Sequence, residues 1–335
     1  MKTKKIKNLL SIMLAFVILF YASGCSNKSW CVKDENETLP VGVYICYMYS
    51  AYQTAQSKVE DTKKSVLKQT VEDKNGEDYI KDTALTNCKN ILAVNSKLNE
   101  LNISLTDEEI EEAKNSVSST WSQMSKILEG YGISKDSFDI AIGITPVKYE
   151  KLFEALYSEG GTQEVTEEDF KNYFQNEYIS YSYISKSLTD IDDEQKVSLE
   201  ENFNNYAAKI NDGSSNINDI SEEYKTSENL ESSPLVSNVA KSDEIYLPDD
   251  VKDVLINLQT NNAQFVKTDS QYYLIYKDDI SNSLSKLEDQ NFKQQLLVTM
   301  KNDEFTSMLD ETANSLNISI NKSALRKYKP SMFVK

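Results

Sequence analysis

Histidine is absent from all 335 residues. That removes imidazole acid–base catalysis, Ser-His-Asp and Cys-His nucleophile systems, and nearly every catalytic zinc site. Arginine is almost absent as well: of 36 basic residues only Arg326 is one, so bidentate clamps on phosphate or carboxylate groups are not to be expected. The four cysteines, Cys25, Cys31, Cys46 and Cys88, contain no CxxC pair, and so signal neither redox catalysis nor a zinc knuckle. An oxidising compartment permits one disulfide among Cys31, Cys46 and Cys88, but the sequence does not select the pair. Glycine is scarce, with nine in the chain, which fits a helix-heavy protein. No motif calls for a metal or cofactor. The run Asp73-Lys74-Asn75-Gly76-Glu77-Asp78 has a calcium-loop look but lacks the EF-hand spacing and terminal Glu, and reads as a turn.

Acidic residues dominate what is present. The net charge is −17, and removing Lys2, Lys4, Lys5 and Lys7 takes it to −21. Nucleic acid needs clustered Lys and Arg, so it is excluded as a partner. An acidic surface is equally unsuited to lying flat on anionic lipid.

Those four lysines precede an apolar run from Leu9 to Tyr21, followed by Ala22-Ser23-Gly24-Cys25. A basic start, an apolar core of 13 residues and small residues before a cleavage point make a secretory signal. A membrane-spanning helix needs about 20 apolar residues, and this run is too short. The stretch ending in Cys25 resembles the lipobox of bacterial lipoproteins, with Ala22 where that motif prefers Leu. The resemblance implies cleavage before Cys25, a diacylglycerol on its sulfur, and a protein anchored to the outer face of the bacterial cell membrane. Each buried lipid CH₂ contributes about 0.8 kcal/mol, so two or more chains anchor stably. The alternative is an ordinary secretory signal in which Cys25 is incidental. Residues 1–24 are thus read as signal and 25–40 as lipidated Cys and tether.

Beyond Cys25, Trp30-Cys31-Val32 reads as a short strand and Val41 to Lys68 as one long helix, rich in tyrosine early. Tyr79 to Leu101 has helical apolar spacing through Ile80, Ala84, Cys88, Ile91, Leu92 and Leu98. Thr106-Asp107-Glu108-Glu109 is a capping box opening a helix that runs to Tyr131 and ends at Gly130 and Gly132. Another helical stretch runs from Ser134 toward Tyr157, with a kink or restart at Pro146. Thr166 to Asp169 caps a short helix to Glu177.

The texture then changes. Tyr178 to Ser185 alternates and is rich in β-formers, so it reads as a strand. Glu194 to Asn211 and Asn216 to Glu223 are helical, and an irregular polar stretch extends to Asp243. Asp249 to Leu258 is a helix, and Phe265 to Lys277 holds a second strand at Tyr272 to Tyr276. Helix returns from Leu284 to Leu316. The fold class is α+β: residues 41–177 form a helical domain, 178–279 a small α+β domain, and 280–335 a C-terminal helix and tail.

In this order the chain resembles the PrsA/SurA-type extracytoplasmic foldases. The joints that carry the resemblance are Asn75 to Asp82, Leu105-Thr106-Asp107-Glu108-Glu109, Tyr131-Gly132-Ile133-Ser134 and Val165 to Phe170, behind the lipobox. The resemblance covers nearly the whole mature chain. It implies a helical chaperone domain built from N- and C-terminal segments, with a parvulin-type prolyl isomerase domain inserted between them. Two family positions depart. Where the family's first strand carries His, Ile179 to Ser185 places Tyr183; where its last strand carries His, Gln271 to Ile275 places Tyr273. The family's Gly-rich loop has no counterpart in Leu230 to Lys241. A phenol cannot reproduce imidazole's donor–acceptor pair, so the isomerase domain is expected to be degenerate, with no catalytic residues. The plainer reading of Tyr183 and Tyr273 is packing in or beside the sheet; the sharper one is that they line a peptide groove.

The expected function is a membrane-anchored chaperone for unfolded secreted polypeptides. An active prolyl isomerase and a dedicated partner of one exported protein are the alternatives. A solute-binding lipoprotein fits poorly, because alternating βα units are missing.

Overall fold

The computed structural model describes residues 29–189 and 191–334. The signal, the lipobox and Cys25 lie outside the described residues. The chain divides into two compact units, one built from residues up to Leu156 together with Glu304 onward, the other from Tyr157 to Asp303.

In the first unit, strand β1 (Trp30–Lys33) pairs antiparallel with β2 (Thr38–Pro40). Helix α1 (Val41–Lys58) follows directly; its first amide has no side-chain cap and bonds to the Ser29 carbonyl at 2.9 Å. Val41, Val43, Tyr44, Ile45, Met48 and Ala55 are all buried, so α1 is the core around which this unit packs. The sequence predicts a helix to Lys68; α1 stops at Lys58, with Val59 extended. A one-turn 3₁₀ helix (Val66–Lys68) takes the place of its last turn, and the hairpin β3 (Thr70–Val71)–β4 (Lys74–Asn75) follows. Gln69 closes the loop with side-chain bonds to the Asp61 and Lys64 carbonyls. The Val66 carbonyl then sits where a Cβ on Gly76 would be only 2.1 Å away. Only glycine fits there, and it opens helix α2 (Gly76–Glu100), capped by the Asn75 side chain.

The single helix expected from Asp107 to Tyr131 is two, α3 (Asp107–Ser116) and α4 (Ser118–Gly130). Ser116 and Ser118 flank the break and donate back to the Ala113 and Asn115 carbonyls, each at 2.8 Å. Such back-bonding bends helices. Both halves of the Thr106–Glu109 capping box form. Gly132, at φ 89°, turns the chain out of α4, and Ile133 returns its amide to the Leu128 carbonyl. Helix α5 (Lys135–Phe138) passes through a π-helical turn (Asp139–Ile144) into α6 (Thr145–Tyr157). Pro146 therefore lies inside a continuous helical run, directly after the π-turn, where its missing N–H removes one bond to the preceding turn.

The C-terminal segment completes this unit. Helix α11 (Gln290–Ser315) sends Phe305 between Tyr149 and Phe153 (centroids 6.1 and 5.3 Å). Strand β9 (Ser319–Ile320) pairs with β1, Val32 facing Ile320. After the short helix α12 (Lys322–Leu325), a 3₁₀ turn (Pro330–Phe333) places Phe333 among Tyr49, Tyr52 and Tyr131 at 5.3, 5.7 and 4.9 Å. N- and C-terminal segments thus share one core.

The second unit opens on α7 (Glu167–Glu177), capped reciprocally by Thr166 and Asp169, a helix the sequence reading grouped with the first unit. Its Phe174 stacks on Tyr178 and meets Phe292 edge-on. Strand β5 (Tyr178–Ser187), helices α8 (Asp193–Asn211) and α9 (Ile217–Ser227), strand β6 (Val236–Lys241), helix α10 (Asp249–Asn257) and the hairpin β7 (Ala263–Lys267)–β8 (Gln271–Asp278) follow. They form a four-stranded antiparallel sheet of order β6-β5-β8-β7. A 3₁₀ run (Ile280–Glu288) leads to α11 (Gln290–Ser315), where the sequence reading began one helix at Leu284.

Period-two alternation in β5 and β8 splits the side chains between two faces. Ile184, Tyr272 and Leu274 pack with Phe203, Tyr206 and Tyr224 of α8 and α9. Tyr181, Tyr273 and Ile275 pack with Val251 and Leu255 of α10. The unit is a sheet between two helical layers, and α+β describes the whole chain.

Candidate functional site

Tyr183 and Tyr273 come together on the α10 face of this sheet. They sit on the neighbouring central strands β5 and β8, in the register that pairs Tyr183 with Ile275 and Ser185 with Tyr273. Two residues of diagonal offset on the same face bring their rings to 6.1 Å, tilted by 52°. Tyr181, two residues before Tyr183, stacks on it at 6.5 Å and 16°. The three rings form a continuous row across the sheet.

Their polar ends differ. Tyr273 is buried and donates its hydroxyl to the Gln271 side-chain carbonyl. Burial, and secondarily the neighbouring Tyr183, pushes its phenol above the ordinary value. Burial does the same to Tyr181, with the facing Asn238 side chain of the edge strand acting in the other direction. Tyr183 is only half-buried, and among the described residues no hydrogen bond holds its hydroxyl. The Tyr181 and Tyr273 phenols, raised by burial above the ordinary value of about 10, stay protonated at neutral pH. They offer aromatic surface and hydroxyl groups, not a base that turns over protons, and Tyr183 adds a third ring.

On the opposite face of the central strand lies a polar cluster that the sequence reading missed. Ser182 donates to the Asp278 carboxylate and contacts the Ser237 hydroxyl, both at 2.9 Å, while Ser180 meets Ser283 at 3.1 Å. Burial raises the Asp278 pKa, and the Ser182 hydrogen bond partly offsets it. The alternation of Tyr181-Ser182-Tyr183 already separates aromatic from hydroxyl faces in sequence. The sequence carries no signal for Asp278, because its approach to Ser182 depends on the register of β5 against β8. Without a histidine, this hydroxyl–carboxylate pair has no imidazole to carry a proton between them.

Elsewhere in the unit, an open cleft of about 810 Å³ is lined by Leu188, Val197, Lys267 and Tyr272. Its Lys267 is committed to Glu200 at 2.9 Å and lies over the Tyr272 ring. In the first unit, Lys148 is half-buried, and this desolvation lowers its pKa, while it donates to Asn95 at 2.7 Å. Asn95 in turn donates to the Glu37 carboxylate, so this chain of contacts joins the β1–β2 turn, α2 and α6.

Cys31, Cys46 and Cys88 all carry free, buried thiols. Burial drives Cys46 up to about 12 and raises Cys88 as well. Among the described residues no helix is long and apolar enough to cross a membrane.

No protein-family model and no curated protein matches the chain. Among solved structures it is similar to the foldase protein PrsA from Streptococcus pneumoniae, at 14% identity over 89% of this chain and 98% of that one, with a TM-score of 0.33. It is similar to PrsA from Lactococcus lactis at 14% identity over 91% and 98%, TM-score 0.34. With PrsA from Bacillus subtilis the figures are 17% identity, 70% and 83%, and a TM-score of 0.26.

Proposed function

We propose that this protein is a membrane-anchored extracytoplasmic chaperone that assists the folding of secreted proteins without prolyl isomerase catalysis. Tyr183 and Tyr273 carry the second half of that reading. They occupy the positions where the resembled foldases have histidine, and they meet ring to ring. Rotating a prolyl amide means lowering a barrier of about 18–20 kcal/mol, and each tenfold in rate requires about 1.4 kcal/mol of selective stabilisation. A row of packed phenols, one of them already bonded to Gln271, offers little that is selective for the twisted amide. The same row is suited to holding extended polypeptide, since tyrosine gives amphipathic contact area at low entropic cost.

The anchor is Cys25, whose thioether-linked diacylglycerol would hold the chain outside the membrane, its acidic body kept off the anionic lipid surface. The clients are unfolded secreted polypeptides, with basic ones favoured by charge. Light scattering of a chemically unfolded client, diluted with and without residues 26–335, tests this. Suppressed aggregation near stoichiometric ratio is the expected result. No suppression across several clients, basic ones included, overturns it and leaves a dedicated partner of one exported protein as the reading.

A further inference from the structure

The four-stranded sheet has two edges, β6 and β7, and they are treated differently. Which backbone groups face outward follows from the ladder. The Leu188 amide bonds to Ser270 and the Lys277 amide to Asn262. Antiparallel pairs alternate, so in the register of this sheet even residues of β5 bond to β8 and odd residues bond to β6. Val236, Asn238 and Ala240 are therefore the β6 residues that bond inward. Ser237, Val239 and Lys241 direct their N–H and C=O groups outward. On β7 the outward residues are Ala263, Phe265 and Lys267.

The β7 edge is plugged. The Asn211 side chain bonds both backbone groups of Ala263, accepting at 2.7 Å and donating at 2.9 Å. That amide takes the place an added strand would use. The outward groups of β6 have no hydrogen-bond partner among the described residues, and none of the usual guards is present. Proteins blunt exposed edges with proline, bulges, short strands or lysines projecting along the edge. β6 is six residues long, without proline or glycine, and its register against β5 is unbroken. Its one lysine, Lys241, is drawn aside to the Tyr173 hydroxyl and ring. Val236 is 40% exposed.

We infer that β6 is a docking edge for an extended polypeptide segment, added as a fifth strand. An edge of alternating N–H and C=O groups is matched by another extended backbone. Side chains fix which kind. Val236, Asn238 and Ala240 share the face of Tyr183, Tyr181 and Ile179, their register partners, so alternate residues of the occupant extend the aromatic row. The strand is flanked by exposed Glu231 before it and Asp243 and Glu244 after it, in a chain of net charge −17. The occupant is therefore a proline-free, β-branched or aromatic segment bearing Lys or Arg near its ends. This deepens the chaperone reading, and rests on it for the source of the segment.

The test is fluorescence anisotropy of a labelled peptide alternating Val and Thr, with lysines at both ends, against the full chain. Val239→Pro removes one outward N–H while leaving the inward pairs to β5 intact, and proline is tolerated at such an edge. It is expected to weaken binding at least tenfold. N-methylation of alternate peptide amides must do the same to the unaltered protein, which keeps the test valid if the variant does not fold. Hydrogen exchange at the Ser237, Val239 and Lys241 amides is expected to slow on adding peptide. Unchanged exchange at those amides, or full affinity for the N-methylated peptide, overturns the inference. So does a dimer that V239P abolishes while peptide binding stays absent, since the occupant is then a second copy. Aggregation suppression that survives V239P with peptide still bound removes the edge and spares the chaperone. Peptide binding at the edge without aggregation suppression does the reverse.

Discussion

Tyr183 and Tyr273 meet across the two central strands of the inserted unit, their ring centroids 6.1 Å apart. They are unequal partners. Tyr273 is 6% exposed and hydrogen-bonded, while Tyr183 is half-buried and its hydroxyl has no hydrogen-bond partner among the described residues. Tyr273→Ala is expected to cost about 3 kcal/mol, as for other large aromatic truncations in a core. Tyr183→Phe, which removes only the hydroxyl, is expected to stay within about 0.5 kcal/mol of the parent. Urea unfolding of the two variants checks both; equal losses would remove the distinction.

Gly76 begins α2 under the Val66 carbonyl, where an added Cβ would lie 2.1 Å from oxygen. The obstacle is backbone, not a movable side chain. Gly76→Ala is expected to destabilise the first unit by about 1–3 kcal/mol, the usual cost of overpacking. Thermal unfolding measures it, and an unchanged midpoint would mean that the 3₁₀ turn at Val66 shifts freely.

Thr106 and Glu109 cap α3 reciprocally. Thr106→Ala is expected to cost about 1 kcal/mol. Thr106→Ser should restore most of it, because the hydroxyl is retained. Chemical unfolding of both variants separates the cap from a general effect of substitution.

The first unit should lose stability in alkali. Burial raises the Cys46 thiol to about 12 and raises the Tyr47 and Tyr149 phenols. Each such group contributes stability that is fully present below its unfolded pKa, about 8.5 for a thiol and about 10 for a phenol. That contribution is lost as pH rises through the folded value, because the unfolded chain gives up its protons first. Stability is expected to fall from about pH 8.5 upward. Cys46→Ala should lessen the slope in the lower part of that range. A thiol reagent at pH 8 should leave Cys31, Cys46 and Cys88 unlabelled until denaturant is added.

Local chemistry in the sequence marks some elements plainly and others not at all. The Thr106 and Thr166 capping boxes place helix starts to the residue, because they are satisfied within four positions. The alternation of Tyr178 to Ser185 places the central strand, because its aromatic and hydroxyl side chains separate onto two faces with period two. Strand β6 escaped notice for the opposite reason. Its residues Val236, Ser237 and Asn238 are exposed, so no apolar alternation is demanded of them, and its β character comes from pairing with β5. The end of α1 at Lys58 is likewise invisible, since no glycine or proline marks it, and the loop that follows is held by bonds of Gln69 to Asp61, Lys64 and Gly76. At the site, the shared face of Tyr181 and Tyr183 could be read from their spacing. The approach of Tyr273 could not, as it depends on the register of β5 against β8, and neither could the plugged edge at Asn211 and the open one at Val239.

One measurement reaches the central claim most directly. A client whose slow refolding phase is limited by prolyl isomerisation is refolded with increasing amounts of residues 26–335, following both the recovered yield and the slow-phase rate. The account predicts that the yield rises while the rate constant of the slow phase stays unchanged. A slow-phase rate that grows in proportion to the protein added would contradict it, and would make the Tyr183–Tyr273 unit a catalyst.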